Sequence, residues 1–537
     1  MRGNDFICKP YYELNSGICT MTKRTVLFLL LIISLAFYFQ ATAQITTSLP
    51  RSIPENEGVS SKAILDFVEA ADKSKHEFHS FMLLRHGKVI AEGWWNPYKP
   101  ELKHTMYSVS KSFTSTAIGF AVSEKLLTVN DKVISFFPDD LPDSISPYLK
   151  ELSVKNLLSM SAGQDPDPTS LIRNWNTNWV KSFLAIPIID KPGSKFLYNS
   201  VATFMLSAII QKVTEQKLID YLKPRLFDPL GIEGMDWEIN PMDINTGGWG
   251  LRVKTEDLAK FGQFYLQKGS WNGKQLLPKE WIEEATTSKI LQSPEVAQEK
   301  RDLRDWLQGY AYKFWRCRFG AFRGDGAFGQ YIIMLPDQDA VVAITAESFD
   351  LQDELNLVWK YLLPAFQKEK LPVDEAELNR LKKKLLTLAL PVPSAKTYPN
   401  AIDLTKGKIF QFEQNTYQWE SIAFQFSENE CTATIKADSN TYKLKFGLGS
   451  WVLGETERRG PNLIGDAKAS FMGLPPSKIA GCYTWKDETT LELTLRYIES
   501  PHSEKITCKF VNGNADIEIK SSINSKPLIL QAKQQFE

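Results

Sequence analysis

The chain has 537 residues, of which 43% are hydrophobic and 12% aromatic, so it is long enough to bury at least one large core. Its formal net charge is +0 and its pI is about 7.0, which excludes the strongly basic surface expected of a nucleic-acid-binding protein. The most basic stretch, RLKKKLL at 380–386, has leucines at helical spacing and is typical of a solvated helix face.

The first 43 residues have the pattern of an N-terminal extension followed by a secretory signal. A basic pair at 23–24 precedes an apolar run at 26–39, and ATA at 41–43 is a small-residue cleavage site. The apolar run is short for a membrane span, although a signal anchor stays open. Twenty residues precede Met21, which favours Met21 as the true start. We expect cleavage after Ala43 and a mature protein that is secreted or periplasmic.

The first half of the mature chain has strand patterns at its ends and helix patterns between them. In chain order, the apolar spacing predicts a helix at 59–74, a hairpin at 80–95, a helix at 115–129, helices with proline-rich connections at 131–227, a helix at 255–269, a hairpin at 329–347 and a helix ending near 367. We therefore expect one mixed sheet assembled from both ends of this region, with a largely helical insertion.

The pattern changes towards the C-terminus. A predicted connecting helix ends at a PVP sequence. Short alternating runs such as TATIKAD, TYKLKFG and TLELTLRYI follow, with a hairpin turn signal at Asn512-Gly513. These patterns predict a first domain at 44–367, a helical linker at 368–397 and a separate antiparallel β domain at 398–537.

Four cysteines remain after cleavage: Cys317, Cys431, Cys482 and Cys508. In an oxidising compartment Cys482 and Cys508 could pair, because both lie in the β-rich C-terminal stretch, but four buried free thiols are an equal alternative. The sequence has no CxxC or HExxH motif, and HEFH at 76–79 offers two metal ligands on one helical turn without an apparent third. We therefore expect no metal and no organic cofactor.

The stretch HTMYSVSKSFTS at 104–115 places a serine and a lysine one helical turn apart at the start of a predicted helix. A serine hydroxyl is a poor nucleophile at neutral pH unless a base removes its proton. The chain has no GxSxG motif, and none of its five histidines lies between Tyr107 and Pro501. A Ser-His-Asp arrangement would therefore have to recruit His79, His86 or His104 from upstream.

Lys111 is an alternative base for Ser108. Burial and the positive end of a helix both disfavour an ammonium group, so both lower the pKa of a lysine placed there. The backbone N–H of Ser108 would also face outward as an oxyanion donor. A Ser-x-x-Lys match is nevertheless expected by chance about once or twice in a chain of this length. On the motif alone, Ser108 as a helix cap with Lys111 in solvent is the preferred interpretation.

Five segments change that preference. They are YSVSKSFTSTAIGFAVSEKLLTVNDKV at 107–133, LSVKNLLSMSAGQD at 152–165, KPGSKFLYNSVATFMLSAIIQKVT at 191–214, the segment from GGWGLR at 247–278 and FGQYIIMLPDQDAVVAIT at 328–345. Their order and spacing resemble the serine β-lactamase-related hydrolases, which include class C β-lactamases, DD-peptidases, family VIII carboxylesterases and 6-aminohexanoate-dimer hydrolases. The resemblance covers roughly residues 50–367. It implies an α+β, β-lactamase/transpeptidase-like fold, with an antiparallel sheet flanked by helices and a helical insertion.

The resemblance also implies roles for particular residues. Ser108 would be the nucleophile, Lys111 its proton acceptor and Tyr198 the residue that relays a proton to the leaving group. A phenol near cationic groups loses its proton more easily, which would suit Tyr198, whereas in isolation a core tyrosine before a helix is the other interpretation. Ser200 takes the asparagine position of the usual Tyr-x-Asn motif, as in the nylon-oligomer hydrolase branch.

The third motif departs from the family pattern. Instead of Lys-Thr-Gly or His-Thr-Gly, the chain has RGDGAFGQ at 323–330, without the cation that holds a substrate carboxylate. Arg323 and Arg252 are candidates to replace that cation, and its loss disfavours β-lactamase and DD-peptidase activity. The resemblance places a close-approach glycine at Gly326 and a second oxyanion donor at Ala327 or Phe328.

These features imply a secreted serine hydrolase that cleaves an ester or amide bond, as an esterase, an amidase or a 6-aminohexanoate-dimer hydrolase-like enzyme. The substrate would be a small molecule or a short peptide or ester. Trp175, Trp179 and Trp249 are candidate cleft aromatics, with core packing as the favoured alternative. The other function to weigh is a non-catalytic cell-envelope binding protein that uses its C-terminal β domain, with cell-wall association. The sequence leaves the oligomeric state open.

Overall fold

The computed structural model describes residues 48–535 except 175–177, 399, 416 and 465–469. The expected signal segment and Trp175 lie outside the described residues. Residues 48–537 belong to one compact unit. Within the described ranges, no helix is both long enough and apolar enough to cross a membrane.

The strands and helices before residue 398 are numbered in chain order. The strands are β1 (Glu77–Arg85), β2 (Lys88–Trp94), β3 (His104–Thr105), β4 (Asp236–Trp237), β5 (Leu251–Val253), β6 (Ser270–Trp271), β7 (Lys274–Gln275), β8 (Trp315–Arg316), β9 (Phe322–Gly326), β10 (Gln330–Leu335) and β11 (Ala340–Glu347). The α-helices are α1 (Ser61–Asp72), α2 (Ser110–Ser123), α3 (Pro147–Glu151), α4 (Val154–Leu158), α5 (Trp179–Leu184), α6 (Ser200–Thr214), α7 (Leu218–Leu222), α8 (Asp228–Leu230), α9 (Thr255–Leu266), α10 (Lys279–Thr286), α11 (Gln298–Arg301), α12 (Leu351–Leu357) and α13 (Glu375–Leu386).

A six-stranded sheet in the order β2-β1-β11-β10-β9-β8 is the centre of this domain. Strands from both ends of the region build it, as the sequence predicts, but every pairing is antiparallel, so the expectation of a mixed sheet is wrong. Strands β1, β10 and β11 are buried along almost their whole length because helices cover both faces. Helix α9 packs on one face, and α1 with the turn at Val358–Leu362 covers the other.

The HEFH segment at 76–79 is not the helical turn that the sequence analysis considered, because it leads into strand β1. Glu77 and His79 lie on β1, and the two histidines make separate contacts. His76 bonds Ser348 and Asp353, while His79 bonds Glu77 and His104. Among the residues that the structure describes, no group of three or more His, Cys, Asp or Glu side chains could hold a metal ion.

Residues after 398 form a β-barrel with its own apolar core. Its strands are β12 (Ile409–Phe412), β13 (Trp419–Phe426), β14 (Glu430–Ala437), β15 (Asn440–Leu448), β16 (Val452–Thr456), β17 (Ser477–Trp485), β18 (Thr490–Tyr497), β19 (Ser503–Val511), β20 (Asn514–Ser521) and β21 (Leu528–Gln535). Neighbouring strands pair antiparallel in the order β15-β14-β13-β12-β21-β20-β19-β18-β17, and a short parallel pairing of β15 with β17 closes the ring. Strand β16 pairs on β17 beside this closure.

The barrel separates the two cysteines considered as a disulfide pair. Cys482 lies on β17 and Cys508 on β19, with β18 between them. All four cysteines after the signal are free and buried. The pairing of Cys482 with Cys508 is therefore wrong, and the alternative of buried thiols describes the structure.

The barrel docks on the first domain through ion pairs and hydrogen bonds. Arg496 on β18 holds the carboxylate of Glu77 with both terminal nitrogens. The backbone N–H of Thr105 donates to the Glu499 carbonyl at 2.9 Å, and the Tyr98 hydroxyl donates to the Ser500 carbonyl at 3.0 Å. These contacts bring the β18–β19 connection to β3, directly before Ser108.

Candidate active site

Ser108 lies in a one-turn helix, Tyr107–Val109, that joins β3 to α2. Strand β3 pairs with β5, and the Met106 N–H donates to the Leu251 carbonyl at 2.9 Å, so this small sheet fixes where α2 begins. Every residue from Ser110 to Ala121 is buried, because α2 packs between α6 and β9 in the middle of the domain. Ser108 is therefore presented, half-buried, at the inner end of a pocket.

Lys111 lies with its amine beside the Ser108 hydroxyl. Its Nζ is 2.9 Å from Ser108 Oγ, 3.1 Å from Ser200 Oγ and 2.6 Å from the Gly248 carbonyl. Only 1% of the residue is exposed, and this burial lowers the pKa of Lys111 to about 7, although Asp167 and Asp325 act in the opposite direction. Near neutral pH a large share of Lys111 is thus an uncharged amine with a lone pair available to the hydroxyl proton.

Tyr198 stands on the other side of the Ser108 hydroxyl. It is half-buried before α6, its hydroxyl hydrogen-bonds Ser108, and its ring centre is 4.9 Å from Lys111 Nζ. Trp315 stacks on the ring at 5.7 Å. Burial raises the pKa of Tyr198, so the expectation that neighbouring cations ease loss of its proton is wrong. A neutral phenol is instead suited to donating a proton.

Ser200 and Gly248 complete the surroundings of the amine. Ser200 is the first residue of α6, which Asn199 caps by accepting the N–H of Ala202. A Cβ atom on Gly248 would lie 2.5 Å from the Ser200 carbonyl oxygen, so only glycine lets this loop approach α6 closely enough for its carbonyl to reach Lys111. The structure thus brings Ser108, Lys111 and Ser200 together, with Tyr198 beside them.

Strand β9 and the turn after it flank the other side of the Ser108 turn. A Cβ atom on Gly326 would lie 2.4 Å from the Met106 carbonyl oxygen, which makes Gly326 a position of close approach. The next residues turn back into β10, and Phe328 has a φ of 65°. The Gln330 side chain holds the carbonyls of Ala327 and Phe328, both at 3.1 Å. The assignment of an oxyanion donor to Ala327 or Phe328 stays a prediction.

The two arginines considered as substrate-binding cations are paired within the protein. Arg323 is fully buried, bonds Asp325 at 2.8 Å and lies 4.3 Å from the Trp306 ring centre. Arg252 holds Asp236 at 2.7 Å and Glu499 at 3.2 Å. Both guanidinium groups are therefore committed to internal carboxylates, and the expectation that either replaces the missing cation is wrong.

The pocket in front of Ser108 has a volume of about 310 Å³ and is lined by both domains. Its lining residues are Tyr107, Ser108, Asp167, Thr169, Ser170, Ser200, Gly248, Trp249, Leu463 and Ile464. Trp249 is thus a cleft residue, while Trp179 is buried behind it with the ring centres 6.1 Å apart. Sequence reasoning missed Asp167, Leu463 and Ile464, since no motif marks them.

Leu463 and Ile464 belong to a segment that we call the strap, residues 457–464, which follows β16. Arg458 anchors its start by binding Glu504 of β19 inside the barrel. Further along the β16–β17 connection, the Phe471 backbone bonds Glu238, whose pKa burial raises to about 7, and the Ile239 N–H donates to the Met472 carbonyl at 3.0 Å. The outer wall of the pocket is therefore tied to both domains.

Lys313 is a second buried lysine close to the site. Its Nζ contacts Met160 Sδ at 3.2 Å, and burial lowers its pKa strongly, with Lys111 adding to the effect. No sequence motif marks Lys313. Because burial favours the uncharged form of Lys313, its amine adds little positive charge near Lys111.

Part of this chain is similar in sequence to known proteins. The Beta-lactamase family model matches residues 72–364. An uncharacterized protein of Alkalihalophilus pseudofirmus is 22% identical over 314 residues, which are 52% of this chain and 86% of that protein. A 6-aminohexanoate-dimer hydrolase of Paenarthrobacter ureafaciens is 24% identical over 281 residues, which are 49% of this chain and 71% of that enzyme.

A solved structure also spans most of both chains. The octameric penicillin-binding protein homologue from Pyrococcus abyssi aligns with a TM-score of 0.45 and 17% identity over 88% of this chain and 99% of that chain. The octamer is a property of that protein. Because the family model covers more than half of the residues here, the chain belongs to the Beta-lactamase family and is a serine hydrolase with the β-lactamase/transpeptidase-like fold.

Proposed function

We propose that the protein is an exported esterase or amidase that works through an acyl-enzyme on Ser108, with Lys111 as base and Tyr198 as acid. The observation that carries the proposal is the contact of 2.9 Å between Lys111 Nζ and Ser108 Oγ, at a lysine whose pKa is lowered to about 7. The export step rests on the signal pattern at 21–43.

In the acylation step, Ser108 Oγ attacks the substrate carbonyl carbon and its proton passes to Lys111 Nζ. The carbonyl oxygen becomes an oxyanion, which backbone N–H groups of Ser108 and of the β9–β10 turn would stabilise. The tetrahedral intermediate then collapses, the bond to the leaving group breaks, and Tyr198 gives that group its proton. Lys111 returns a proton to the phenolate, so both residues are ready for the next step.

In the deacylation step, water attacks the acyl carbon and loses a proton to the same base. The bond to Ser108 Oγ breaks, and the oxygen recovers a proton, which releases the acid and restores the enzyme. The opposite pKa changes support this division of roles, because burial favours a neutral amine at Lys111 and a neutral phenol at Tyr198.

The charges around the pocket favour a substrate without a carboxylate beside the scissile bond. Arg323 and Arg252 are paired internally, and Asp167 lies in the pocket wall. A negative substrate group would meet a like charge there, whereas a neutral or amine-bearing group would not. Neutral esters and amides, and amides that carry an amine as 6-aminohexanoate oligomers do, are the classes that we propose.

The test is turnover of p-nitrophenyl acetate and butyrate and of the matching anilides by residues 44–537, with nitrocefin as the carboxylate-bearing comparison. We expect ester or anilide turnover that Ser108→Ala abolishes. Ser115→Ala is the matched control, because it removes a buried hydroxyl two turns further along α2. Undiminished turnover by Ser108→Ala would refute the mechanism. Absence of any turnover, with binding of cell-wall material by the protein, would support the non-catalytic alternative.

A further inference from the structure

One histidine of the barrel contacts the residue that precedes the proposed nucleophile. His502 lies between β18 and β19 and is completely buried. Its Nδ1 is 2.6 Å from Glu347 Oε1, at the end of β11, and its Nε2 hydrogen-bonds the Tyr107 hydroxyl. A single imidazole therefore joins the central sheet, the barrel and the Ser108 turn.

The partners of His502 fix the direction of these hydrogen bonds. The Glu347 carboxylate accepts, so Nδ1 carries the proton, and in a neutral imidazole Nε2 is then the acceptor. Tyr107 supplies the matching donor, because burial raises the pKa of its hydroxyl. The Leu463 backbone also bonds this hydroxyl. Both partners of the Tyr107 hydroxyl named here belong to the barrel, and one of them is in the strap.

Tyr107 has an unusual backbone conformation that such contacts can hold. Its φ is 45°, in the left-handed region that non-glycine residues rarely adopt. Conformations of this kind persist when surrounding contacts determine them. The backbone of Tyr107 leads directly into Ser108. The contact of the Tyr107 side chain with the barrel therefore helps to determine where the Ser108 N–H and hydroxyl lie.

His502 also contacts the turn on the far side of the site. The Phe328 ring lies edge-on to the imidazole with centres 4.7 Å apart, and it lies 5.5 Å from the Tyr107 ring. Phe328 is one of the two predicted oxyanion donors after β9. One barrel residue thus contacts both Tyr107, which precedes the expected donor Ser108, and Phe328, a candidate for the second donor.

We propose that His502 is a positioning residue for acyl transfer, acting through the Tyr107 hydroxyl to hold the Ser108 turn, the β9–β10 turn and the strap in one arrangement. The inference rests on the proposed function of Ser108. It makes the barrel part of the catalytic centre, although the barrel supplies no group that reacts.

The first experiment compares Tyr107→Phe with Tyr98→Phe in the mature chain. Each variant loses one phenol hydroxyl that bonds the barrel, but Tyr98 bonds the Ser500 carbonyl away from Ser108. We expect Tyr107→Phe to lower kcat and kcat/KM for a p-nitrophenyl ester by about tenfold or more with KM little changed, since displaced donors act in the transition state. Tyr98→Phe should stay within about twofold of the parent, by the same reasoning.

The second experiment separates the two ring nitrogens. The amide of His502→Gln can extend towards the place of Nε2 and keep a bond to Tyr107, whereas the shorter His502→Asn reaches only the place of Nδ1 and keeps Glu347. We expect His502→Gln to retain most of the parent kcat and His502→Asn to fall as far as Tyr107→Phe. Combining His502→Asn with Tyr107→Phe should add little further loss.

Thermal unfolding and titration with a fluorophosphonate separate loss of folded protein from loss of rate per active site. Equal losses for Tyr107→Phe and Tyr98→Phe, or for His502→Gln and His502→Asn, would overturn the inference while leaving the role of Ser108 intact. If Ser108→Ala keeps full turnover of the same ester, the proposed function fails and this inference fails with it.

Discussion

The two walls of the pocket are built in different ways. Ser108 and Ser200 line the inner wall, and Lys111 and Tyr198 contact them from neighbouring elements of the same domain. The outer wall consists of the strap, which reaches the pocket from the barrel and presents Leu463 and Ile464. This difference suggests that the inner wall determines rate and the outer wall determines which acyl group fits.

Replacing Lys111 by methionine should have the largest effect. The substitution keeps an apolar chain of similar length but removes the base from Ser108, so we expect kcat to fall roughly a thousandfold. Lys313→Met is the matched comparison, because it removes the neighbouring buried amine, whose contact is Met160 Sδ. Stopped-flow measurement of p-nitrophenol release checks the acylation rate, and an equal loss for both lysines would contradict the specific role of Lys111.

Tyr198→Phe should lower kcat by about a hundredfold, since the leaving group then lacks its proton donor. The loss should be greater for an anilide than for an activated ester, because p-nitrophenolate leaves without needing a proton. Steady-state kinetics on the matched ester and anilide measure this ratio. The same loss for both substrates would remove Tyr198 from the acid role and leave it as a packing residue.

Gly326→Ala should separate β9 from the Ser108 turn, because the new Cβ would lie 2.4 Å from the Met106 carbonyl oxygen. We expect a fall in kcat of about tenfold or more from the displaced oxyanion site. Gly324→Ala is the control on the same strand, where the nearest atom, Ser112 Oγ, is 3.2 Å away. A greater loss of rate for Gly324→Ala, at matched thermal stability, would count against Gly326 as the critical close approach.

Ile464→Ala should change selectivity more than rate. Removing part of the outer wall should raise the ratio of kcat/KM for hexanoate over acetate esters by about tenfold, the scale on which apolar pockets discriminate methylene groups. Leu453→Ala tests the specificity of the effect, because Leu453 is 48% exposed on β16 and does not line the pocket. An unchanged ester preference in Ile464→Ala would show that the strap does not form the acyl pocket.

The smallest expected effect concerns pH. The neutral form of Lys111 is the base, so kcat/KM should rise with pH through the Lys111 pKa of about 7 and then level off. Asp167 raises the pKa of Lys111, so Asp167→Asn should lower it and move the rising limb towards acid. Asp165→Asn, which breaks an exposed pair with Lys195, should leave the limb in place. A shift towards alkaline pH in Asp167→Asn would contradict this assignment.

The sequence predicted the inner wall better than the outer wall, for a physical reason. Ser108 and Lys111 lie one helical turn apart, so local spacing already places them on one face. The Beta-lactamase resemblance and the fold class are confirmed. The sign of the Tyr198 pKa change was missed because burial, which depends on the whole fold, outweighs the nearby cations.

Contacts between distant segments account for the other gaps. His502, Leu463 and Ile464 are far from Ser108 along the chain and carry no recognisable motif, so only the docked barrel reveals them. Likewise, the sequence does not show that Arg323 is unavailable to a substrate, because only the fold buries it with Asp325 on the same strand face. The domain boundaries and the export signal stay predictions.

The proposed mechanism requires that Ser108 forms the covalent intermediate. The most direct measurement is peptide mass spectrometry of the mature protein after treatment with a fluorophosphonate. We predict one adduct on Ser108, faster labelling above pH 7 than below it, and slow labelling in Lys111→Met. An adduct on another residue, or undiminished labelling of the Ser108→Ala variant, would contradict the account.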